Sequence, residues 1–192
     1  MKLDQLRQYD FRLTTDRLVL EPIDIQHAGQ LFPFMKDPNT SQFLAWSSHP
    51  NAAFSQQVVE SLCSNHRACK AFHWSIYFNS KICGLISLID IKEKHLSWTL
   101  NRSELAYWIA GEQHGKGLAT ESSRRVMSFA FNDCNFHKVI VAHASENLAS
   151  AKVIDKLGFR FLCEEKQAFN KDRCWHNLKH YELLQSEYRD KE

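Results

Sequence analysis

The chain has 192 residues and a formal net charge of +2, with 44% hydrophobic and 24% charged residues. That is ordinary globular composition, long enough for one domain with a substantial core. So small a charge gives no reason to invoke nucleic acid or an anionic membrane as partner, and no apolar run approaches the length of a membrane span. Residues 1–7 are polar and lack the apolar stretch of a signal peptide. Six cysteines (Cys63, Cys69, Cys83, Cys134, Cys163, Cys174) are scattered without a CxxC pair. They point to free thiols in a reducing cytoplasm.

In chain order, residues 17–21 read as a short strand stopped by Pro22. Asp24 caps a helix to about Met35, with Ile25, Ala28, Leu31, Phe32 and Met35 on one face. Residues 38–51 form a polar loop with two large apolar residues, Phe43 and Trp46, as covers of the core or walls of a pocket. A second helix covers 52–67, with Phe54, Val58, Val59 and Leu62 inward. The period then becomes strand-like: 72–78 and 82–89 form a hairpin across the two-residue turn Asn79-Ser80. A strand over 104–110 follows, then a helix over about 117–132 that carries Ala119, Val126, Phe129 and Ala130 on one face. Next come a buried-looking strand over 138–143 and a helix over 147–157 ended by Gly158. Strands over about 160–169 and 174–184 complete the list. The order predicts an α/β (α+β) fold in a single domain over 1–192. Its sheet is mixed, mostly antiparallel and twisted, with about seven strands and about four helices.

The most telling stretch runs from Tyr107 to Glu121: an apolar strand, a loop with Gly111, Gly115 and Gly117, then the first turn of a helix. Unpaired N–H groups and the positive end of the helix dipole make such a start an anion site. Glycines let phosphates approach the backbone. A triphosphate loop needs GxxxxGK followed by Ser or Thr. Here only three residues lie between Gly111 and Gly115, and Gly117 stands where the magnesium-binding hydroxyl belongs. A dinucleotide fingerprint needs GxGxxG in a doubly wound sheet. Thr120 replaces its third glycine, and the element order offers no such sheet.

His114-Gly115-Lys116-Gly117-Leu118-Ala119 resembles the acetyl-CoA loop, Gln/Arg-x-x-Gly-x-Gly/Ala, of the Gcn5-related N-acetyltransferase (GNAT) superfamily, with His114 at the Gln/Arg position. Thr15-Asp16-Arg17-Leu18-Val19-Leu20-Glu21-Pro22 resembles the opening of the Rim-type branch, which contains the ribosomal-protein-serine and ribosomal-protein-alanine N-acetyltransferases. Glu104-Leu105-Ala106-Tyr107-Trp108-Ile109 is similar to that branch's Glu-Ile-Gly-Tyr-Trp-Ile strand. Asn147-Leu148-Ala149-Ser150, with Lys156-Leu157-Gly158-Phe159, is similar to its Asn-x-x-Ser…Leu-Gly-Phe helix. The resemblance covers about residues 12–185, and four motifs in order make it specific.

The resemblance implies the GNAT fold with splayed central strands, acetyl-CoA as cosubstrate and no metal. It implies direct transfer to an amine acceptor, a protein N-terminal α-amine or a small amine, by a monomer or homodimer. Pantetheine and the thioester oxygen would bond the backbone of Trp108, Ile109 and Ala110. The pyrophosphate would sit on the N–H groups of Gly115, Lys116, Gly117, Leu118, Ala119 and Thr120. The Lys116 side chain would face solvent or an outer phosphate, and His114 would contribute its backbone N–H or a phosphate contact. Glu104 is the candidate general base, with Ala106 and Trp108 on its face; otherwise it is a strand-end carboxylate in solvent or paired with Arg102. Asn147 is a natural helix N-cap, to which the resemblance adds a bond to the pantetheine arm. Ser150 would stand near the thioester sulfur as a hydrogen-bond donor, or else be an exposed helical serine.

Phe43, Trp46 and the loop Phe169-Asn170-Lys171 would line the acceptor side. The tyrosine that many members carry on the second helix is missing from Ile154-Asp155-Lys156-Leu157, and a catalytic glutamate of some Rim-type enzymes falls near Phe169, with Glu164 and Glu165 out of register. His143 is a base or a structural histidine. Cys63, His66 and Cys69 are helix residues whose spacing does not converge on a metal, and Cys134 and Cys174 lack an activating context. The competing readings are a non-catalytic acyl-CoA-binding module and an NTPase.

Overall fold

A computed structural model describes residues 10–189; the polar opening segment, residues 1–7, lies outside them. The elements are β1 (Leu13–Thr14), β2 (Leu18–Pro22), α1 (Ala28–Lys36), α2 (Pro38–Ser41), α3 (Ala52–Arg67), β3 (Phe72–Phe78), β4 (Lys81–His95), β5 (Trp98–Ile109), α4 (Leu118–Ser128), β6 (Lys138–Ala144), α5 (Leu148–Leu157), β7 (Arg160–Lys171) and β8 (Cys174–Leu184). All eight strands form one sheet in the order β1-β2-β3-β4-β5-β6-β8-β7. Every neighbouring pair is antiparallel except β5 and β6, which α4 connects as a parallel crossover.

Strand alternation divides the core between the two faces of the sheet. Phe72, Trp74, Ile76, Ile86, Leu88, Leu105 and Ile109 pack with Val126 and Met127 of α4 and Ile154 of α5. Ile82, Leu85 and Trp108 pack with Ala28, Leu31, Met35, Val59 and Cys63 from α1 and α3. Among the described residues no helix is long and apolar enough to cross a membrane, and all six cysteines are free thiols.

Several expectations are refined. The hairpin arm of β4 and β5 runs to Leu96, well past the expected strand ends, because main-chain pairing (Lys92 with Arg102, His95 with Trp98) continues through polar, exposed residues. Helix α3 is rotated from its most hydrophobic face: Phe54 is exposed, while Ser55, Val59, Cys63 and His66 point inward. Two of these are satisfied inside, Ser55 Oγ by His49 Nδ1 (2.7 Å) and Cys63 Sγ by the Ile23 carbonyl (3.4 Å). Asp24 does cap, but it caps a 3-10 turn over Ile25–His27, which leaves Ile25 exposed and out of phase with α1. The helix expected to reach residue 132 ends its α-helical part at Ser128 and finishes as a π-turn over Phe129–Asp133 that buries Phe129, Ala130 and Phe131.

Gly84 brings β4 against β5. A Cβ there would stand 2.3 Å from the Trp108 carbonyl oxygen and 2.9 Å from Ile109 Cδ1. Backbone cannot retreat as a flexible side chain can. Gly84→Ala is therefore expected to cost about 1–3 kcal/mol of stability, as overpacking does, read as a lower urea midpoint at unchanged slope.

Candidate functional site

The parallel pairing of β5 and β6 lasts only three positions: Arg102 with Lys138, Ser103 with Val139, Glu104 with Ile140. Beyond Glu104 the strands part. β5 stays with β4 as far as Ile109 opposite Gly84, and β6 stays with β8 as far as Ala144 opposite Leu178. A wedge opens inside the sheet, with main-chain polar groups on its walls. The backbone of Ala110 faces away from it, since its N–H donates to the Cys83 carbonyl on β4 (2.8 Å). By antiparallel alternation Trp108 also faces β4, and Tyr107 and Ile109 face the wedge. Of the three residues expected to bond pantetheine, Ile109 alone presents its main chain there.

At the open end of the wedge, a turn over Gly111–Gln113 leads to the glycine loop and α4. Gly115 (φ +76°) and Gly117 (φ +78°) both lie in the left-handed region that L side chains rarely adopt. Gly117 caps α4 without a side chain. The first i→i−4 bond runs from Glu121 N–H to Gly117 O (3.0 Å), so the N–H groups of Leu118, Ala119 and Thr120 precede it at the positive end of the helix dipole. Backbone N–H groups so placed form a cradle of the kind that can bind an anion such as a phosphate.

The cradle is held from a distant part of the chain. Glu121 accepts from Thr15 Oγ1 (2.5 Å), from the Arg17 N–H (3.2 Å) and from Arg17 Nε (2.7 Å). Arg17 Nη2 also donates to the Lys116 carbonyl (3.2 Å). Burial pulls the Glu121 carboxyl upward, but the hydrogen bonds from Thr15 and Arg17 and the guanidinium charge outweigh it, leaving the group below its ordinary value.

Glu104 is half-buried at the closed end of the wedge. Burial, then the Asp90 charge, raises its carboxyl above the ordinary value, against His180, Arg102 and Lys92. Across the wedge, Asn147 Oδ1 caps α5 by accepting from the Ser150 N–H (3.0 Å), and Ser150 is half-buried with its Oγ 2.9 Å from the Tyr107 hydroxyl.

Residues 17–160 match the family described as acetyltransferase (GNAT) domain. The chain belongs to this GNAT family. The Bacillus subtilis protein YdaF is 23% identical over 172 residues, covering 88% of this chain and 91% of its own. Spermidine N(1)-acetyltransferase of Escherichia coli K12 is 28% identical over 141 residues, covering 73% and 69%. Among solved structures, the ribosomal L7/L12 α-N-protein acetyltransferase RimL in complex with coenzyme A superposes with a TM-score of 0.82 at 18% identity, covering 90% of this chain and 97% of that one.

Within this GNAT domain the first loop position has a local explanation. His114 Nε2 lies 2.8 Å from the Ile109 carbonyl oxygen, so the imidazole ties the glycine loop to the end of β5. Lys116 Nζ folds back onto Gln113 Oε1 (2.6 Å). His143 Nδ1 is 2.7 Å from the Ala144 carbonyl, its Nε2 is 3.2 Å from the Tyr181 hydroxyl, and its ring stacks on Tyr181 at 5.4 Å. Cys134 is buried, which pushes its thiol up. Cys63, His66 and Cys69 form no metal cluster, and none of three or more ligand-type residues occurs among the described residues.

Two features of the site have no local signature in the sequence. One is the Tyr107 hydroxyl, whose partner is 43 residues away. The other is Lys171, half-buried at the end of β7 and depressed in pKa by that burial. Its Nζ donates to the carbonyls of Ser41, Leu44 (2.7 Å) and Trp46 (2.9 Å). It thereby ties the β7–β8 turn to the loop after α2. Trp46 in turn packs against Trp108 (6.4 Å), so the loop aromatic covers the core and stands next to the Glu104 strand. Phe169, near the expected acceptor loop, stacks on His176 at 5.0 Å.

Proposed function

We propose that this chain moves an acetyl group from acetyl-CoA to a primary amine by direct attack. It does so as one catalytic domain over residues 1–192, in the cytoplasm, as a monomer or homodimer. The single observation that carries this reading is the wedge between β5 and β6 opening onto the glycine cradle at the start of α4. An extended arm bearing amides fits the wedge, and a pyrophosphate fits the cradle. The Ile109 main chain holds the arm, the N–H groups of residues 115–120 hold the pyrophosphate, and Asn147 adds a contact where α5 begins.

In the proposed reaction the amine nitrogen attacks the thioester carbonyl, the C–S bond breaks and the thiolate leaves. The amine must be neutral to attack. At pH 7 an α-amine with pKa near 8 is about one-tenth neutral, whereas an alkylamine near 10.4 is below a thousandth. A base is therefore needed most for alkylamines. Glu104 accepts the proton, directly or through water; its raised pKa brings it closer to neutrality and makes it a better acceptor. Ser150 offers a hydrogen bond to the departing sulfur. The acceptor is a protein N-terminal α-amine, as in the Rim-type branch, or a small amine. The names of the ribosomal L7/L12 and spermidine enzymes among its relatives support both.

The test is titration calorimetry with acetyl-CoA, then thiol release with a panel holding spermidine and peptides with free Ser and Ala N-termini. Saturable binding and acetylated amine by mass spectrometry are the expected results. Binding without turnover of any amine would favour the acyl-CoA-binding module. No binding, with hydrolysis of ATP, would favour the NTPase.

A further inference from the structure

Tyr107 lies three residues beyond Glu104, the last β5 residue to pair with β6. Its ring packs against the core shared with α4 and α5, and its hydroxyl is 2.9 Å from Ser150 Oγ. This contact joins the two walls of the wedge at the height where the candidate leaving-group residue stands. Two proton arrangements are open to a pair of hydroxyls. If Ser150 donated to Tyr107, the phenol would have to donate elsewhere, and the other acceptor within reach is the Ser150 carbonyl at 3.5 Å, too long for a good O–H···O bond. If Tyr107 donates to Ser150 Oγ, its proton is used at normal length and the serine's own hydrogen is free to point into the wedge.

We propose that Tyr107 is a positioning residue for Ser150: the phenol donates to Ser150 Oγ and turns the serine's hydrogen toward the sulfur of the leaving thiolate. This rests on the acetyltransferase reading above. The amine nitrogen forms the new C–N bond, the electron pair of the C–S bond goes to sulfur, and the amine's proton goes to Glu104. Both hydroxyls keep their protons, and the thiolate, once hydrogen-bonded by Ser150, is protonated by water. Tyr107 is not the acid. Burial pushes its phenol up to about 12, and a proton so held does not pass to a thiolate whose acid lies near 8.5. The same burial keeps the phenol neutral, and so a donor, through the whole physiological range. The chain thus places a tyrosine hydroxyl at the wedge from β5, although α5 carries no tyrosine.

The experiment is a double-mutant cycle on steady-state acetyl transfer with Tyr107→Phe, Ser150→Ala and the double variant. Phenylalanine keeps the ring in the core, and acetyl-CoA binding by calorimetry reports that the fold and cofactor site are intact. Tyr107→Phe is expected to lower kcat about tenfold, with KM for acetyl-CoA within twofold of the parent. The double variant is expected to be no slower than Ser150→Ala alone. A Tyr107→Phe enzyme with parental kcat overturns the proposal. So does a Tyr107→Phe defect of the same size with and without Ser150, because a purely structural role gives additive losses. A parent protein that binds acetyl-CoA but transfers to no amine overturns the acetyltransferase reading itself, an outcome distinct from either of those.

Discussion

Glu104→Gln is expected to lower kcat for acetyl transfer by about a hundred- to ten-thousandfold, the usual contribution of a positioned base, while leaving acetyl-CoA affinity nearly unchanged. The split follows from where the residue sits. Glu104 is at the closed end of the wedge, whereas the phosphate cradle lies past the open end, at the start of α4. Glutamine has the same shape and removes only the ability to take a proton. Since burial raises the Glu104 carboxyl, the parent's kcat should rise with pH through that raised pKa as the carboxylate forms, and the variant's profile should lose this limb. The loss should also be larger for an alkylamine than for an α-amine, because less of the alkylamine is neutral at pH 7. Steady-state kinetics with both acceptor types over pH 5–9 check this. A variant with parental kcat on both would remove Glu104 from the chemistry.

The second large effect concerns stability in acid. His66 on α3 and His73 on β3 are 7% and 4% exposed. His66 Nδ1 lies 3.0 Å from the His73 N–H and 3.1 Å from the His73 carbonyl oxygen, so the tautomer sets which of the two it bonds. His73 Nδ1 is 2.8 Å from Ser87 Oγ, and the Nε2 atoms of both rings have no hydrogen-bond partner. A proton on the His66 ring would place a charge among Phe11, Phe72 and Trp74, and one on His73 would charge a ring that is 4% exposed. Burial therefore depresses both to about 4; for His66 the Arg67 charge adds to this against a bond to His73, and for His73 the neighbouring His66 adds to it. In the unfolded chain both titrate near 6.5, so below that pH the unfolded state binds more protons and stability falls as pH falls. Their contribution is complete above pH 6.5 and is lost progressively down to about pH 4. A shift of this size corresponds to roughly 3 kcal/mol per histidine. Urea unfolding at pH 7.5, 6, 5 and 4 should show the decline, and His66→Phe should flatten its slope by about one proton. An unchanged slope would mean the ring is reached by solvent.

What could be read from the sequence was local. Asn79-Ser80 announced a two-residue hairpin turn, and both residues have positive φ. Asn147 announced a helix start and caps it. The strand–glycine–helix succession from Tyr107 to Glu121 predicted a helix whose first N–H groups face a ligand, and α4 begins at Leu118. The polar arm of residues 90–103 was missed because its pairing is carried by main chain, with little apolar alternation to betray it. Phe54 misled for the opposite reason: it is the most apolar residue near the start of α3, yet the helix is oriented by smaller and polar side chains that find partners inside. The Tyr107 hydroxyl escaped, and Lys171 was expected only in the acceptor lining and not as a tie to the loop after α2; their partners are 43 and 125–130 residues away. No spacing rule reaches so far.

The Glu121 carboxylate has a consequence for how much chain a working phosphate cradle requires. Its partners Thr15 and Arg17 are 106 and 104 residues away, and Thr15 lies ahead of the span that matches the family. Closing a loop of that length costs entropy, which the contacts of the folded sheet offset. The brace exists only where these two distant stretches of chain meet in the folded sheet. A fragment started at Leu18 keeps every glycine of the loop and loses the brace that sets its curvature.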